Sequence, residues 1–426
     1  MIHRRTFLKA GTAATLASLA PHAHGGQAQE NRNPEGRLKL AIITTIFRYR
    51  SHSQHIGDRF IVGYPRDGEW HRPPTQVASM YVDQVGDGDL SAHRQENHEV
   101  QVYPTISEAL CLGGTKLAVD GVLLIGEHGE YPRNEKGQKL YPRYEFFEQI
   151  VEVFERSGRS VPIFNDKHLS YSGEKARKMV AAAKRLGFPL LAGSSLPVTH
   201  RLPSVDVPLE AEIDEALMLG VGGSDAMDYH ALEAMQCMVE RRRGGEVGVR
   251  AVEMIEGNAV WKAMAERRWS PDLLEAALSR SEIHHGLTDE DSRPQNLAHN
   301  GELPRLVTSP SAYFIEYRDG LRATLLMLNG AIGDFTFACR IRGQRLPLST
   351  LFLLPSGENV NYTACLARYI ESMLVTRKAP YPVERTQIVC ALLDRCLDSR
   401  LQGRRLETPE ISIRYRAPVE SRFCRT

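Results

Sequence analysis

The sequence has no charge imbalance, no membrane-length apolar run and no paired cysteine motif. Its 53 basic and 52 acidic residues leave a net charge of +1, which excludes the one-sided field of a nucleic-acid or anionic-membrane binder. The one dense basic run, Arg241-Arg242-Arg243, follows an apolar stretch and is expected to be a solvated helix C-terminus. No segment reaches the ~20 uncharged apolar residues of a spanning helix, so no stable membrane insertion is expected. The seven cysteines, Cys111, Cys237, Cys339, Cys365, Cys390, Cys396 and Cys424, form no C-x-x-C pair. Their odd number and wide scatter argue against a disulfide framework or a zinc–thiolate site, so buried free thiols are expected.

What is present begins with an address. Arg4-Arg5-Thr6-Phe7-Leu8-Lys9 precedes the weakly apolar Ala10–Ala20 and the small residues Gly25, Gly26 and Ala28. This is the layout of a twin-arginine signal peptide over residues 1–30, and it implies export to the periplasm or beyond.

At 426 residues the chain has room for two or three domains of ~150 residues. Leu38–Ile46 is a continuous apolar, β-branched run, as in a strand buried on both faces. Further strands are expected at Gln76–Val82, Val100–Tyr103, Val119–Ile125, Val161–Phe164 and Pro189–Ala192, with helices between them and an inserted loop at Gly63–Pro74. That alternation predicts a Rossmann-like doubly wound parallel sheet over residues 37–200. Past it, Glu212–Leu219, Ala251–Glu256, Tyr313–Tyr317, Arg322–Asn329 and Asp334–Arg342 read as strands, and Asp228–Arg241, Ala364–Leu374 and Val383–Asp398 as helices. Residues 201–415 are therefore expected to form an α+β domain, a mostly antiparallel sheet with helices on one face. The other face offers a surface for homo-oligomer formation.

The motifs, taken in order, resemble the Gfo/Idh/MocA family of glucose-fructose oxidoreductase and inositol dehydrogenases. Tyr103–Leu110 leading into Val119–Val122 looks like the family's helix and fourth strand, and Val161–Ser170 is similar to its Glu-Lys-Pro strand end. Gly222-Gly223-Ser224-Asp225-Ala226-Met227-Asp228-Tyr229-His230 resembles its glycine-pair, aspartate and histidine element, and Arg377–Pro382 through Ser399 and Gly403 its tail. The resemblance spans roughly residues 37–415 and implies an oxidoreductase acting on a sugar or cyclitol hydroxyl with NAD or NADP. Three departures stand out. The G-x-G-x-x-G loop that lets backbone approach a pyrophosphate is replaced by Thr44-Thr45-Ile46-Phe47-Arg48-Tyr49-Arg50; the motif proline is replaced by His168; and the spacing from Asp225 or Asp228 to His230 is altered.

By that resemblance Lys167 assists proton transfer at the reacting carbon, His230 is the general acid/base, and Asp225 or Asp228 orients it. Thr44, Thr45, Arg48, Asp83, Glu127 and His128 fall where a dinucleotide would be held. A second set reads differently: His52, His55 and Asp58, at i, i+3 and i+6, put metal-ligand side chains near one helical face. A divalent metal there points to non-redox carbohydrate chemistry, a lyase, epimerase or hydrolase; a sugar-binding protein without turnover is the third alternative. Tyr131, Arg133, Tyr141, Arg143 and Tyr144 border a polar insert, residues 132–142, expected to be a lid or saccharide-stacking surface. His284-His285 falls in a polar loop and is expected to be inert.

Overall fold

The computed structural model describes residues 36–282, 297–299, 301–355, 357 and 360–425. The signal segment and the His284-His285 loop lie outside these residues. The unit that begins at Leu38 carries two sheets. The first half runs β1 (Leu38–Thr44), α1 (His52–Ile61), β2 (Tyr64–Arg66), β3 (Glu69–His71), β4 (Thr75–Val82), α2 (Ser91–His98), β5 (Gln101–Val102), α3 (Ile106–Cys111), β6 (Gly121–Ile125), α4 (Arg143–Ser157), β7 (Ile163–Asp166), α5 (Gly173–Leu186) and β8 (Leu190–Gly193). Six of these strands form a parallel sheet in the order β5-β4-β1-β6-β7-β8. The order reverses beside β1, which makes the carboxyl edge there the place where a doubly wound sheet takes its ligand.

Local signals set the boundaries. Thr105 caps α3 by accepting from Glu108 N, and its hydroxyl donates to the Glu108 carboxylate; Ser172 caps α5, and Gly158 and Gly187 end α4 and α5 in the left-handed conformation, as helix-stop glycines do. One face of the sheet is covered by α3, α4 and α5 through Ile106, Phe147, Ile150 and Met179. The opposite face is covered by α1, through Ile56 and Phe60, and by a helix from much later in the chain, α10 (Tyr362–Thr376), through Ile370 and Met373.

The second half contains β9 (His200–Leu202), β10 (Ile213–Gly220), α6 (Asp225–Val239), β11 (Val249–Glu256), α7 (Asn258–Ala265), α8 (Pro271–Leu278), α9 (Leu303–Leu306), β12 (Ser311–Tyr317), β13 (Arg322–Met327), β14 (Phe335–Ile341) and β15 (Leu348–Leu353). After α10 come α11 (Glu384–Gln402) and β16 (Leu406–Glu407). The sheet order is β16-β11-β12-β13-β10-β14-β15-β9, antiparallel except for the β10–β13 pair. The fold is thus a Rossmann-like parallel sheet followed by an α+β part with a mostly antiparallel sheet.

Four details differ from expectation. Residues 63–74, expected as a loop, contain the β2–β3 hairpin, whose Trp70 indole donates to Val62 O at 3.1 Å. Helices cover both faces of the second sheet: α6 and α11 on one, α7 and α8 on the other, against Leu217, Leu219 and Leu326. The apolar run Ala216–Leu219 is buried throughout, so the open face proposed for self-association is covered at these strands. Arg241 and Arg242 are buried rather than solvated: Arg241 pairs with Asp206 at 3.1 Å, and Arg242 with Glu246 at 3.1 Å and Asp319 at 2.6 Å. Lastly, Cys365 and Cys424 form a disulfide that ties the C-terminal segment to α10, while the other five cysteines are free and buried. Alkylation under denaturing, non-reducing conditions is therefore expected to modify five cysteines, and all seven after reduction, read by intact mass.

Candidate active site

The chemistry-bearing side chains gather where β6 and β7 end. Glu127, just past β6, accepts from Lys167 Nζ at 2.7 Å and pairs with the Arg143 guanidinium, and all three side chains are essentially buried. Arg143 also donates to His168 Nε2 at 3.2 Å. Burial alone would raise the Glu127 carboxyl, but Lys167 and Arg143 hold it well below the usual carboxylate range. Lys167 (φ +51°) and His128 (φ +69°) sit in the left-handed region, sparsely populated by non-glycine residues and a mark of local strain at functional turns. The Lys167 turn is fixed by its N–H bond to Gly193 O at 3.1 Å.

Gly193 (φ +129°) is backed by Glu233 of α6, whose carboxylate stands where a Cβ would go. Glu233 accepts from Ser194 N at 2.8 Å and Ser194 Oγ at 2.7 Å, and burial pushes it up to about 7. Sequence reasoning missed Glu233; the available signal was a lone carboxylate in the apolar run Ala231-Leu232-Glu233-Ala234-Met235.

Beside this cluster a cavity of about 20 Å³, the size of one water, is lined by His52, His55, Asp166, Ser194, Ser195, His230 and the first turn of α10. Asp166 is buried and bonds His52 Nδ1 at 2.8 Å. Burial works against its charge, yet His52 and Lys167 keep the Asp166 carboxyl below its ordinary value. His55 and His128 are lowered to about 4 by burial and by His52, and His168 and His230 well below 6.5, chiefly by burial. His55 Nε2, His128 Nε2, His168 Nδ1 and His230 Nδ1 are buried without a hydrogen-bond partner.

A roomier cleft, about 340 Å³, opens at the N-terminus of α6. It is lined by Asp225, Asp228, Arg133, Arg400, Glu256 and Asn329, among others. The Asn329 amide clamps Gly222, donating to its carbonyl and accepting from its N–H at 2.7 Å each. Asp225 has no hydrogen-bond partner among the described residues, and burial raises its pKa. Asp228 accepts from Tyr313 OH at 2.6 Å, and burial lifts it to about 6. A larger cavity, about 1300 Å³, runs along α10 and the C-terminal segment but contains none of these groups.

The expected catalytic set therefore divides. Asp225 and Asp228 line the cleft, His230 lines the small cavity, and Lys167 lines neither, being committed to Glu127. The expected metal set is not brought together: His52 serves Asp166, while Asp58 is held by a two-pronged bond from Arg94 at 2.7 and 2.8 Å. Among the described residues, the three ligand-type side chains that do converge are His200, Cys365 and Cys424, two of which are the disulfide.

Of the residues expected to hold a dinucleotide, Glu127 belongs to the ion cluster and His128 packs edge-on against His52 at 5.2 Å. Thr44 and Thr45 are fully buried and bond Ile125 O and Glu127 O, both at 2.8 Å. Arg48 is exposed and bridges to Asp89, and both Asp83 oxygens are taken by tyrosines. The residues at this edge do not fit the dinucleotide that such a fold implies: buried Thr45, Ile46 and Phe47 stand where its glycines would be, and the Asp83 carboxylate is already taken.

No protein-family model matches the sequence, and no curated protein does. Among solved structures the chain aligns, over 87% of its length each time, with three in particular. One is GenD2 from gentamicin A biosynthesis in complex with NAD (13% identity, 96% of that chain, TM-score 0.53). The others are myo-inositol 2-dehydrogenase from Lactobacillus plantarum (10%, 99%, 0.51) and scyllo-inositol dehydrogenase from Lactobacillus casei (9%, 98%, 0.52). At these identities the likeness is one of fold, and at that level the Gfo/Idh/MocA resemblance holds.

Two outcomes follow from the buried charges. Glu127→Gln leaves Lys167 and Arg143 unpaired, and breaking a buried pair costs about 3–5 kcal/mol, so chemical denaturation should show a loss of that size. The depressed imidazoles make the unfolded chain bind more protons than the folded one below pH 6.5. Among the described residues, the five lowered imidazoles, His55, His98, His128, His168 and His230, outnumber the four raised carboxyls, Asp225, Asp228, Glu233 and Glu275, which act the opposite way. Tm is therefore expected to fall as pH drops from 6.5 toward about 4, the lowered value of His55 and His128.

Proposed function

We propose that the protein is an enzyme of proton transfer at a carbon beside a carbonyl or carboxylate of a small polyhydroxylated molecule, a sugar, uronate or keto-cyclitol, bound in the cleft at the N-terminus of α6. The observation that carries this is the pair Asp225 and Asp228, one turn apart on α6, both raised by burial and both lining a cleft of about 340 Å³. Carboxyl groups tuned toward neutrality in a concave polar site suit general acid–base work. Asp228, near 6 and steadied by Tyr313, exchanges its proton in the working range. Asp225, without a protein partner, is free to meet a substrate hydroxyl. Arg133, Arg400 and Asn329 supply orienting donors around them. The fold shared with two inositol dehydrogenases supports a cyclitol- or sugar-sized substrate.

Nicotinamide-dependent oxidation of a sugar or cyclitol hydroxyl is the second reading; the fold likeness to the NAD complex of GenD2 supports it, and the β1 edge, whose residues do not fit a dinucleotide, counts against it. Export by the twin-arginine route belongs to the same proposal. It rests on Arg4-Arg5, and the Cys365–Cys424 disulfide supports an oxidising compartment.

The test is incubation of purified protein with aldoses and ketoses, uronates and keto-cyclitols, whose C–H bonds beside a carbonyl or carboxylate can exchange, in D2O, read by NMR. The expected result is deuterium on carbon or a new stereoisomer, with a pH profile that bends near 6. Asp228→Asn should slow it by about 10²-fold or more. Unchanged turnover in that variant rules the assignment out; nicotinamide reduction without deuterium exchange favours the second reading.

A further inference from the structure

Three loops meet across the carboxyl edge beside β1, where this kind of sheet holds a dinucleotide. The loop after β1 bonds the loop after β4 through backbone: Asp83 N to Thr44 O at 3.0 Å, Gln84 N to Thr45 O at 2.8 Å, and Leu90 N to Phe47 O at 2.7 Å. The loop after β6 closes over both. Tyr131 OH donates to Asp83 at 2.6 Å, while Tyr81 OH donates to the other carboxylate oxygen at 2.8 Å. The Gln84 amide donates to Glu130 O at 3.0 Å and accepts from Glu130 N at 2.9 Å, a reciprocal pair.

Close approach is built in. Gly129 (φ +95°) lies under Tyr131 and Gln84, where a Cβ would come within 2.8 Å of the ring and 3.0 Å of the amide oxygen. The helix end that would face a pyrophosphate is occupied as well. Ser51 caps α1 by accepting from Gln54 N at 3.2 Å, and Ser53 Oγ donates to Ile46 O. The Arg94–Asp58 bond then locks α1 to α2.

We infer that this chain has exchanged the dinucleotide crevice for a three-loop latch, and takes neither NAD nor NADP at that edge. The acid that binds ribose hydroxyls in such folds is here a tyrosine acceptor. The glycines that admit a pyrophosphate are replaced by Thr45, Ile46 and Phe47, all buried. The insert that follows the latch brings Arg133 and Lys136 to the α6 cleft, where Lys136 is anchored on α11 by Asp394 at 2.5 Å and Asp398 at 2.6 Å. The inference stands on the loops alone and survives if Asp225 and Asp228 prove inactive.

The experiment uses the purified full chain in two arms. Denatured protein is assayed by mass spectrometry for released nucleotide, and Tm is measured with NAD, NADH, NADP and NADPH in excess. No released nucleotide and no rise in Tm are expected; a ligand at about 100 times its Kd would raise Tm by several degrees. In the second arm, Tyr131→Phe with Gln84→Ala should speed amide exchange across residues 128–134 by about five- to tenfold, again without nucleotide binding. Released nucleotide, a nucleotide-dependent rise in Tm, or unchanged exchange in the double variant overturns the inference. Asp228→Asn should leave both readouts as they are, which separates failure of the latch from failure of the proposed reaction.

Discussion

The structure depends on one carboxylate. Glu127 stands at the end of β6 and accepts Lys167 from the end of β7 and Arg143 from the start of α4. Three segments that share no hydrogen-bond ladder beyond the sheet edge are thereby joined at one buried point. A buried charge is tolerated only when paired, so none of the three can move without stranding the others. This accounts for the left-handed backbone of Lys167 and for the glycine beside it at Gly193, which leaves room for Glu233. Burial is the main reason the surrounding imidazoles stay unprotonated. The neighbouring cations, Arg143 and Lys167 at His168 and Lys167 and His52 at His230, add to it.

Much of the architecture was legible because buried parallel strands announce themselves. Leu38–Thr44 and Gly121–Ile125 are continuous apolar runs, and helices with one apolar stripe separate them. What stayed hidden are partnerships between distant residues. The Cys365–Cys424 bond joins positions 59 apart, and Arg241, just past the end of α6, meets Asp206 in the segment between β9 and β10; neither leaves a local periodicity. The helices α7 and α8 were missed because α8 is only 8 residues long and covers a sheet face that its own sequence neighbours do not form.

The site was legible in parts and illegible as a whole. Lys167 and Glu127 were both singled out, one as a proton-transfer residue and the other as a cofactor contact, yet they are partners at 2.7 Å. Spacing on α1 suggested that His52, His55 and Asp58 act together, but Asp166 and Arg94 pull the first and last of them apart. Asp225 and Asp228, read from the sequence as one element at the start of a helix, do line one cleft together. The missing glycine loop was the clearest sequence signal of all. The latch gives it a structural counterpart: the scaffold of a dinucleotide fold persists, while its ligand edge is filled by its own side chains and the open cleft lies at α6.

The account turns on imidazoles held neutral around a carboxylate held ionised. ¹⁵N NMR of histidine-labelled protein at pH 6 reads those charge states at each ring. His168 and His230 should each show the widely separated nitrogen shifts of a single neutral tautomer. Collapsed shifts of an imidazolium at either position would mean that burial and the neighbouring cations do not hold these rings neutral, and would contradict the account at its base.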